Sequence, residues 1–367
     1  MKIGINAQGL ISGAPCGINT YLRNLIPALS KLDHANDFLL FSSDRIHLEG
    51  LEENVTQKSG RKWGSFSLIG FSRLFNENEC DVAFIPKETL PLFIKKPVVI
   101  TVYDLFFIKM YRKFKNQIKL SAKIHYELAR LTAFKKATKL CAISTSCKED
   151  LVEICDIDPQ KIEVTPLSFD PQYFFPRSEE EIGTIRKKYS ITQPYFLNIS
   201  SIFWDPKNVM GVLKAFRLIQ EAGFPHELIM VGKIGPSYSK MQEYIERYNL
   251  KVKCLISITV EEIAILLSGA QALVYPSFHE GFGLPIVEAM AAGCPVITSN
   301  VSAMPETAGG AALLVDPYQC EDLFEAMKKI IENKEVVNQL KAWGLSRAQK
   351  FSWSETAKKT LDVIYSV

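Results

Sequence analysis

Short apolar runs alternate with longer amphipathic stretches along this 367-residue chain. Lys2 to Asn6, Phe38 to Ser42, Val82 to Ile85, Val98 to Val102 and Lys139 to Ile143 carry the pattern of strands. Between them, Gly17 to Leu32, Ser65 to Asn76 and Gln117 to Lys136 have the length and spacing of helices. A segment rich in proline and aromatics, VTPLSFDPQYFFPRS (Val164 to Ser178), then interrupts the alternation. Beyond it the pattern begins again, with strands expected at Tyr195 to Ser200, Glu227 to Val231, Ala272 to Tyr275, Val296 to Ser299 and Ala312 to Val315. A last helix is expected at Trp353 to Tyr365. Alternation of this kind predicts an α/β chain with parallel sheets. The break near Ser168 to Ser178 predicts two domains, residues 1–170 and 171–352. A chain of 367 residues is long for one core and comfortable for two.

Composition places the chain among ordinary globular proteins, with 47% hydrophobic and 23% charged residues. No apolar run approaches the ~20 residues that span a bilayer, and MKIGINAQGL reads as a first strand rather than a secretory leader. A cytoplasmic protein is the expectation. Eight cysteines are scattered without a C-x-x-C pair, which suits a reduced compartment. The five histidines show no ligand spacing, so no metal site is expected. Asp156-Ile157-Asp158 looks like a metal-binding D-x-D, but it falls between an expected helix and a short strand, where Asp commonly serves turns.

The net charge of +3 hides an asymmetry: 23 Lys and Arg oppose 19 Asp and Glu up to Asp170, and 20 oppose 21 thereafter. Ten basic residues and a single acidic one, Glu127, lie between Lys109 and Lys139. Phe106, Phe107, Met110, Tyr111 and Phe114 precede or interleave with the first of these charges. Residues 106–139 therefore read either as a face for peripheral contact with anionic membrane or as a solvated helix face. Nucleic acid is not expected as a partner, because the rest of the first half is net acidic and carries no nucleic-acid motif.

The densest chemistry lies in SFHEGFGLPIVEAMAAGCPVITSNVSAMPE, Ser277 to Glu306. Ala272 to Ser277 reads as an apolar strand running into the turn Gly281-Phe282-Gly283, with Pro285 suited to the first helical position. Free N–H groups of the loop and of the first helical turn, with the positive end of the helix dipole, can hold a phosphate group. Two carboxylates, Glu280 and Glu288, flank that anion site, which suggests that they face something neutral and rich in hydroxyls. A nucleotide-sugar supplies both. An acidic residue in a first helical turn also favours the dipole with no ligand, so Glu288 alone has a structural explanation.

This segment resembles the E-x7-E signature of retaining family 4 glycosyltransferases with the GT-B fold, in the form S-x-x-E-G-F-G-L-P-x-x-E-A-M-A-x-G-x-P-V-I. The similarity continues through Ser299-Asn300, Pro305-Glu306 and Ala311 to Pro317, and in layout it covers essentially the whole chain. It implies two Rossmann-like, doubly wound domains facing each other across a cleft, with the acceptor in the first and a nucleoside-diphosphate sugar in the second. The helix from Trp353 would then return to the first domain. By resemblance Glu280 binds hydroxyls of the donor sugar and Glu288 the ribose, with Gly281, Phe282, Gly283 and Leu284 around the phosphates. Lys207, in the stretch from Ser201 to Asn208, occupies the place of a family lysine that holds the donor diphosphate. Gly17 matches the glycine near the helix start of the family's first loop.

The chain departs from the family pattern at three places. An arginine usual upstream of the lysine is replaced at Ser201-Ile202. Tyr103-Asp104 stands where many members have His-Asp, and a tyrosine with a pKa of about 10 is a poor proton acceptor at neutral pH. Pro166-Leu167-Ser168-Phe169-Asp170 keeps the aspartate of the family's Pro-x-Gly-Val-Asp and loses the glycine. The resemblance implies metal-independent hexosyl transfer with retention to a glycan or lipid-linked acceptor. No cofactor is expected beyond the co-substrate, for which the style of the motif suggests GDP-mannose. A nucleotide-sugar epimerase and a non-catalytic nucleotide- or glycan-binding subunit are the alternatives.

Overall fold

The computed structural model describes residues 1–11, 17–60, 69–88, 91, 93–106, 131–200, 205–232 and 238–367, without the side chains of Leu131 and Asp205. The chain divides into two compact units, Met1–Ser168 with Ser352–Val367, and Phe169–Phe351.

The first unit contains strands β1 (Lys2–Asn6), β2 (Asp37–Ser42), β3 (Val55–Ser59), β4 (Val82–Ile85), β5 (Val98–Val102), β6 (Lys139–Ala142) and β7 (Ile162–Val164). They form one seven-stranded parallel sheet in the order β3-β2-β1-β4-β5-β6-β7. Its central strands are apolar runs buried end to end, as a sheet covered on both faces requires. Phe41, Phe71, Phe75, Ile100, Phe134 and Leu140 belong to its core. The helix Trp353–Tyr365 belongs to this unit and packs on the helix Gly17–Leu32. Trp353 lies edge-on to Tyr21, with ring centroids 6.0 Å apart, and Thr356 Oγ1 donates to the Pro166 carbonyl at 2.6 Å.

The second unit contains β8 (Tyr195–Ile199), β9 (Glu227–Val231), β10 (Val252–Leu255), β11 (Ala272–Tyr275), β12 (Val296–Ser299) and β13 (Leu313–Val315). Its parallel sheet has the order β10-β9-β8-β11-β12-β13. The chain leaves β8 toward β9 and leaves β11 toward β12, on opposite sides of the β8–β11 pair. This reversal is the topological switch point of a doubly wound sheet, where the loops after the two central strands diverge and leave a crevice. Phe196, Val274 and Ile297 of the sheet pack with Val212, Phe216 and Met327 of the helices Val209–Glu221 and Cys320–Glu332.

Two strands, β3 and β10, have no counterpart in the hydrophobic pattern. VTQKS and VKCL carry polar residues and are only partly buried, because each lies at a sheet edge with a single neighbour. Asp156 takes a left-handed conformation at the end of the helix Thr145–Cys155, and Asp158 caps the following turn by accepting from Gln160 N–H at 2.9 Å. The cysteines of the described residues are free thiols. Residues 107–130, with most of the basic segment, the loop at 12–16 and the departure at Ser201-Ile202 lie outside the described residues. Among the described residues no helix is long and apolar enough to cross a membrane.

Candidate functional site

The switch point of the second sheet brings Lys207 and Glu280 together. Lys207 ends a short 3-10 turn, Asp205–Lys207, that follows β8, and Glu280 lies in the loop that follows β11. Lys207 Nζ lies 2.5 Å from Glu280 Oε1. Tyr275, the last residue of β11, joins them: its hydroxyl accepts from Lys207 Nζ at 3.2 Å and donates to Glu280 Oε1 at 2.7 Å. A lysine before a helix N-terminus calls for an anion, and the Glu280 carboxylate supplies one.

Electrostatics follow from this closed triangle. Burial opposes the charge on Lys207, but Tyr275 and Glu280 outweigh it and hold the ammonium well above the usual lysine range. Burial likewise pushes Glu280 up, and the Lys207 charge with the hydrogen bonds from Lys207 and Tyr275 pulls its carboxyl below the usual range. Both groups are therefore ionised at neutral pH.

Neighbouring residues fix the two charges. Asn208 sits in a left-handed conformation (φ 52°) and donates to the Pro317 carbonyl at 2.7 Å, which pins the residue next to Lys207. Phe278 N–H donates to the Pro206 carbonyl at 2.8 Å, tying the Glu280 loop to the Lys207 turn. Ser302 Oγ lies 2.7 Å from the Glu280 carbonyl and 3.0 Å from His279 Nδ1. His279 thus supports the loop beside the site.

The glycine turn then starts the signature helix, Leu284–Ala291. Gly283 caps it with φ +92°, and a Cβ there would meet Ile286 Cδ1 at 2.9 Å, so the position favours glycine twice over. Phe282 is buried against Phe351, edge to face with centroids 5.6 Å apart, and its carbonyl accepts from Thr307 Oγ1 at 2.6 Å. Neither Gly283 N–H nor Leu284 N–H has a backbone acceptor among the described residues. Free amides at a helix N-terminus can hold an anion, and Lys207 follows a strand of the same sheet at its carboxyl end. Pro285 is the second helical residue rather than the first, which still removes an N–H that would have no partner.

Glu288 is the fifth residue of that helix, one place beyond the first turn where the sequence had suggested it. The structural explanation through the helix dipole weakens accordingly, since the effect fades after the first turn. Burial, and then the negative charge of Asp170, push the Glu288 carboxyl up to about 7. No hydrogen bond from a described residue compensates that burial. Such a carboxyl is poised to accept or share hydrogen bonds with a neutral ligand.

The remaining expected residues belong to the first unit. Tyr103, just after β5, donates its hydroxyl to the Pro86 carbonyl at 3.2 Å and lies edge-on to Tyr21 at 5.6 Å. Its N–H donates to Glu88 Oε1 at 2.9 Å. Asp104 Oδ1 accepts from Phe106 N–H at 3.0 Å and so organises a local turn. Gly17 is exposed at the start of its helix, with nothing from non-adjacent described residues within 4 Å of where a Cβ would stand. Among the described residues no group of three or more His, Cys, Asp or Glu side chains gathers as a metal site.

Two family models match the chain. The model described as Glycosyl transferases group 1 covers residues 181–346, and that described as Glycosyltransferase Family 4 covers residues 15–173. The chain belongs to the family 4 glycosyltransferases of the GT-B fold. Among curated members, O-antigen chain mannosyltransferase B of Escherichia coli is 30% identical over 231 residues, 62% of this chain and 60% of that protein. The serotype-specific mannosyltransferase WbdA of Escherichia coli is 27% identical over 244 residues, 65% of this chain but only 30% of the longer relative. The matched stretches thus span less than two thirds of those relatives. Among solved structures, Anabaena HepE in complex with UDP-glucose aligns over 100% of both chains with a TM-score of 0.79 and 17% identity, a likeness of fold.

Within this family signature, the sequence singles out Glu280, Glu288, Lys207 and the glycine turn. It gave no sign of Tyr275 as a bridge, because its residue type also fits the end of a buried strand. Ser302 was equally hidden, since its value depends on a left-handed backbone (φ 58°) that brings it under Glu280.

Proposed function

We propose that the chain is a retaining hexosyltransferase that moves a mannosyl-type unit from a nucleoside-diphosphate sugar, GDP-mannose, to a glycan or lipid-linked glycan. The observation that carries this reading is the Lys207–Tyr275–Glu280 triangle, together with the amides of Gly283 and Leu284, which have no backbone acceptor among the described residues. The mannosyltransferase names of the Escherichia coli relatives support the sugar. HepE, crystallised with UDP-glucose, supports a nucleotide-sugar as the class of donor.

In this reading the barrier is charge separation as the bond between sugar and phosphate stretches. Lys207 and the two amides stabilise the leaving diphosphate, and because they are fixed beforehand little reorganisation accompanies the developing charge. They supply the stabilisation that a divalent metal gives elsewhere. Glu280 accepts hydroxyls of the transferred sugar, and Glu288 accepts those of the ribose. The proton of the incoming hydroxyl passes to the departing diphosphate. Tyr103 and Asp104 lie at the carboxyl end of β5, where acceptor-side groups of a doubly wound domain belong, and Gly17 begins the helix after β1.

Peripheral contact with an anionic membrane, proposed for residues 106–139, gains support from a described neighbour of that segment. Phe93 is 78% exposed and, with Ile94, Lys95, Lys96 and Lys136, lines one surface groove to which no described residue contributes a carboxylate. An apolar tip ringed by ammonium groups suits an anionic lipid surface. Such contact would bring the enzyme to a lipid-linked acceptor. Incubation with radiolabelled GDP-mannose, UDP-glucose and related donors tests the proposal. Release or transfer of labelled sugar with retained configuration supports it; epimerised nucleotide-sugar supports an epimerase; binding with no turnover supports a non-catalytic subunit.

A further inference from the structure

Tyr275 is the one member of the triangle for which sequence and family pattern named no role. Its side chain is buried at the end of β11, and its hydroxyl meets Lys207 and Glu280. That hydroxyl donates its one O–H to Glu280 Oε1 and accepts an N–H of Lys207 Nζ. The same carboxylate oxygen also receives Lys207 Nζ directly. Two of the three N–H bonds of Lys207 are thereby fixed inside the triangle, and no described residue accepts the third.

Without the phenol, Ser277 would still bond the Glu280 carboxylate, but no described side chain would join that carboxylate to the flexible lysine. The phenol stands on a rigid strand end, and one atom bonded to both charges fixes where each can sit. Phe278 N–H to Pro206 O, and Asn208 to Pro317 O, hold the backbones of the two loops but not the side chains. Among the described residues Tyr275 alone hydrogen-bonds both charged groups through its side chain.

We infer that Tyr275 is a positioning residue that sets the ammonium of Lys207 and the carboxylate of Glu280 in the arrangement the transfer step needs. The inference rests on the reading of Lys207 as the diphosphate's cation and Glu280 as the sugar's acceptor group. Tyr275 itself touches neither reacting atom in that reading. It acts on the reaction through the order it imposes, so its removal affects the transition state more than ground-state binding.

Tyr275→Phe keeps the buried ring and removes one atom. The expected result, with GDP-[14C]mannose and UDP-[14C]glucose as the donors tested for hydrolysis and transfer, is a kcat lower by about 10- to 100-fold, the range for losing one hydrogen bond to a charged group. The donor KM should stay within about threefold. Calorimetric binding of GDP and UDP, close to that of the unaltered chain, shows that the variant site is folded. In a Lys207→Ala background, Tyr275→Phe should cost at most about threefold further, because the two residues act as one unit. An unchanged kcat for Tyr275→Phe overturns the inference, and so do losses that multiply in the double variant. If Lys207→Ala and Glu280→Gln both retain full turnover, the parent reading of the site fails instead.

Discussion

Lys207 and Glu280, 73 residues apart in the chain, meet at 2.5 Å across the switch point between β8 and β11. Each charge is stabilised by the other in a site that excludes much of the solvent. Removing only the cation leaves a partly buried carboxylate without its partner. Lys207→Ala should therefore destabilise the second unit by about 1–3 kcal/mol at pH 7. Glu280 is held below its ordinary pKa, so the stability it contributes is present above the unfolded carboxyl range and is lost as pH falls through its folded value. The gap between Lys207→Ala and the unaltered chain should narrow below about pH 4. Urea unfolding followed by circular dichroism at several pH values checks this, and a gap constant with pH would count against the pairing.

Glu288 has the opposite sign. Its folded pKa is raised to about 7, so the folded state holds a proton that the unfolded state has released, and stability declines as pH rises between the two values. Glu288→Gln removes the titration. The variant should melt about 2–4 °C higher than the unaltered chain at pH 8 and alike at pH 4. Ribose binding needs the carboxylate as an acceptor, so Glu288→Ala should weaken nucleoside-diphosphate binding about 10-fold or more. Affinities for GDP and UDP unchanged from those of the unaltered chain would remove Glu288 from the ribose site.

Gly283 carries both a left-handed backbone and a crowded Cβ position. Gly283→Ala should cost about 1–2 kcal/mol of stability and tilt the first helical amides away from the anion. Thermal melting and calorimetric titration with GDP read the two effects separately. Stability and affinity both unchanged would mean that the turn relaxes freely.

The domain alternation and the signature were legible because they rest on patterns that sequence displays directly: buried parallel strands as continuous apolar runs, and a glycine turn between two glutamates. Edge strands β3 and β10 were not, since half-exposed strands such as VTQKS lack an apolar run. Tyr275 and Ser302 were invisible for another reason. Their chemistry depends on partners 68 and 22 residues away, and nothing in local spacing announces such a meeting. Lys207 was legible as a cation in search of an anion, but its pairing with Glu280, 73 residues away, was not.

The groove around Phe93 makes a separate prediction. The chain should float with liposomes containing a third phosphatidylglycerol at low salt and not with neutral liposomes. A Phe93→Ser, Lys95→Glu, Lys96→Glu variant should lose most of that binding, by roughly 1 kcal/mol for each charge removed. Flotation that is absent at low salt, or unaffected by the variant, sets the membrane contact aside.

The central claim is that the Lys207–Tyr275–Glu280 triangle drives sugar transfer. Its most direct measurement is the rate at which the purified chain releases labelled mannose from GDP-mannose, alone and with a lipid-linked glycan fraction, beside Glu280→Gln. The account predicts turnover that falls by about 100-fold or more in Glu280→Gln while GDP binding stays within about threefold. Turnover equal in the two proteins would contradict it.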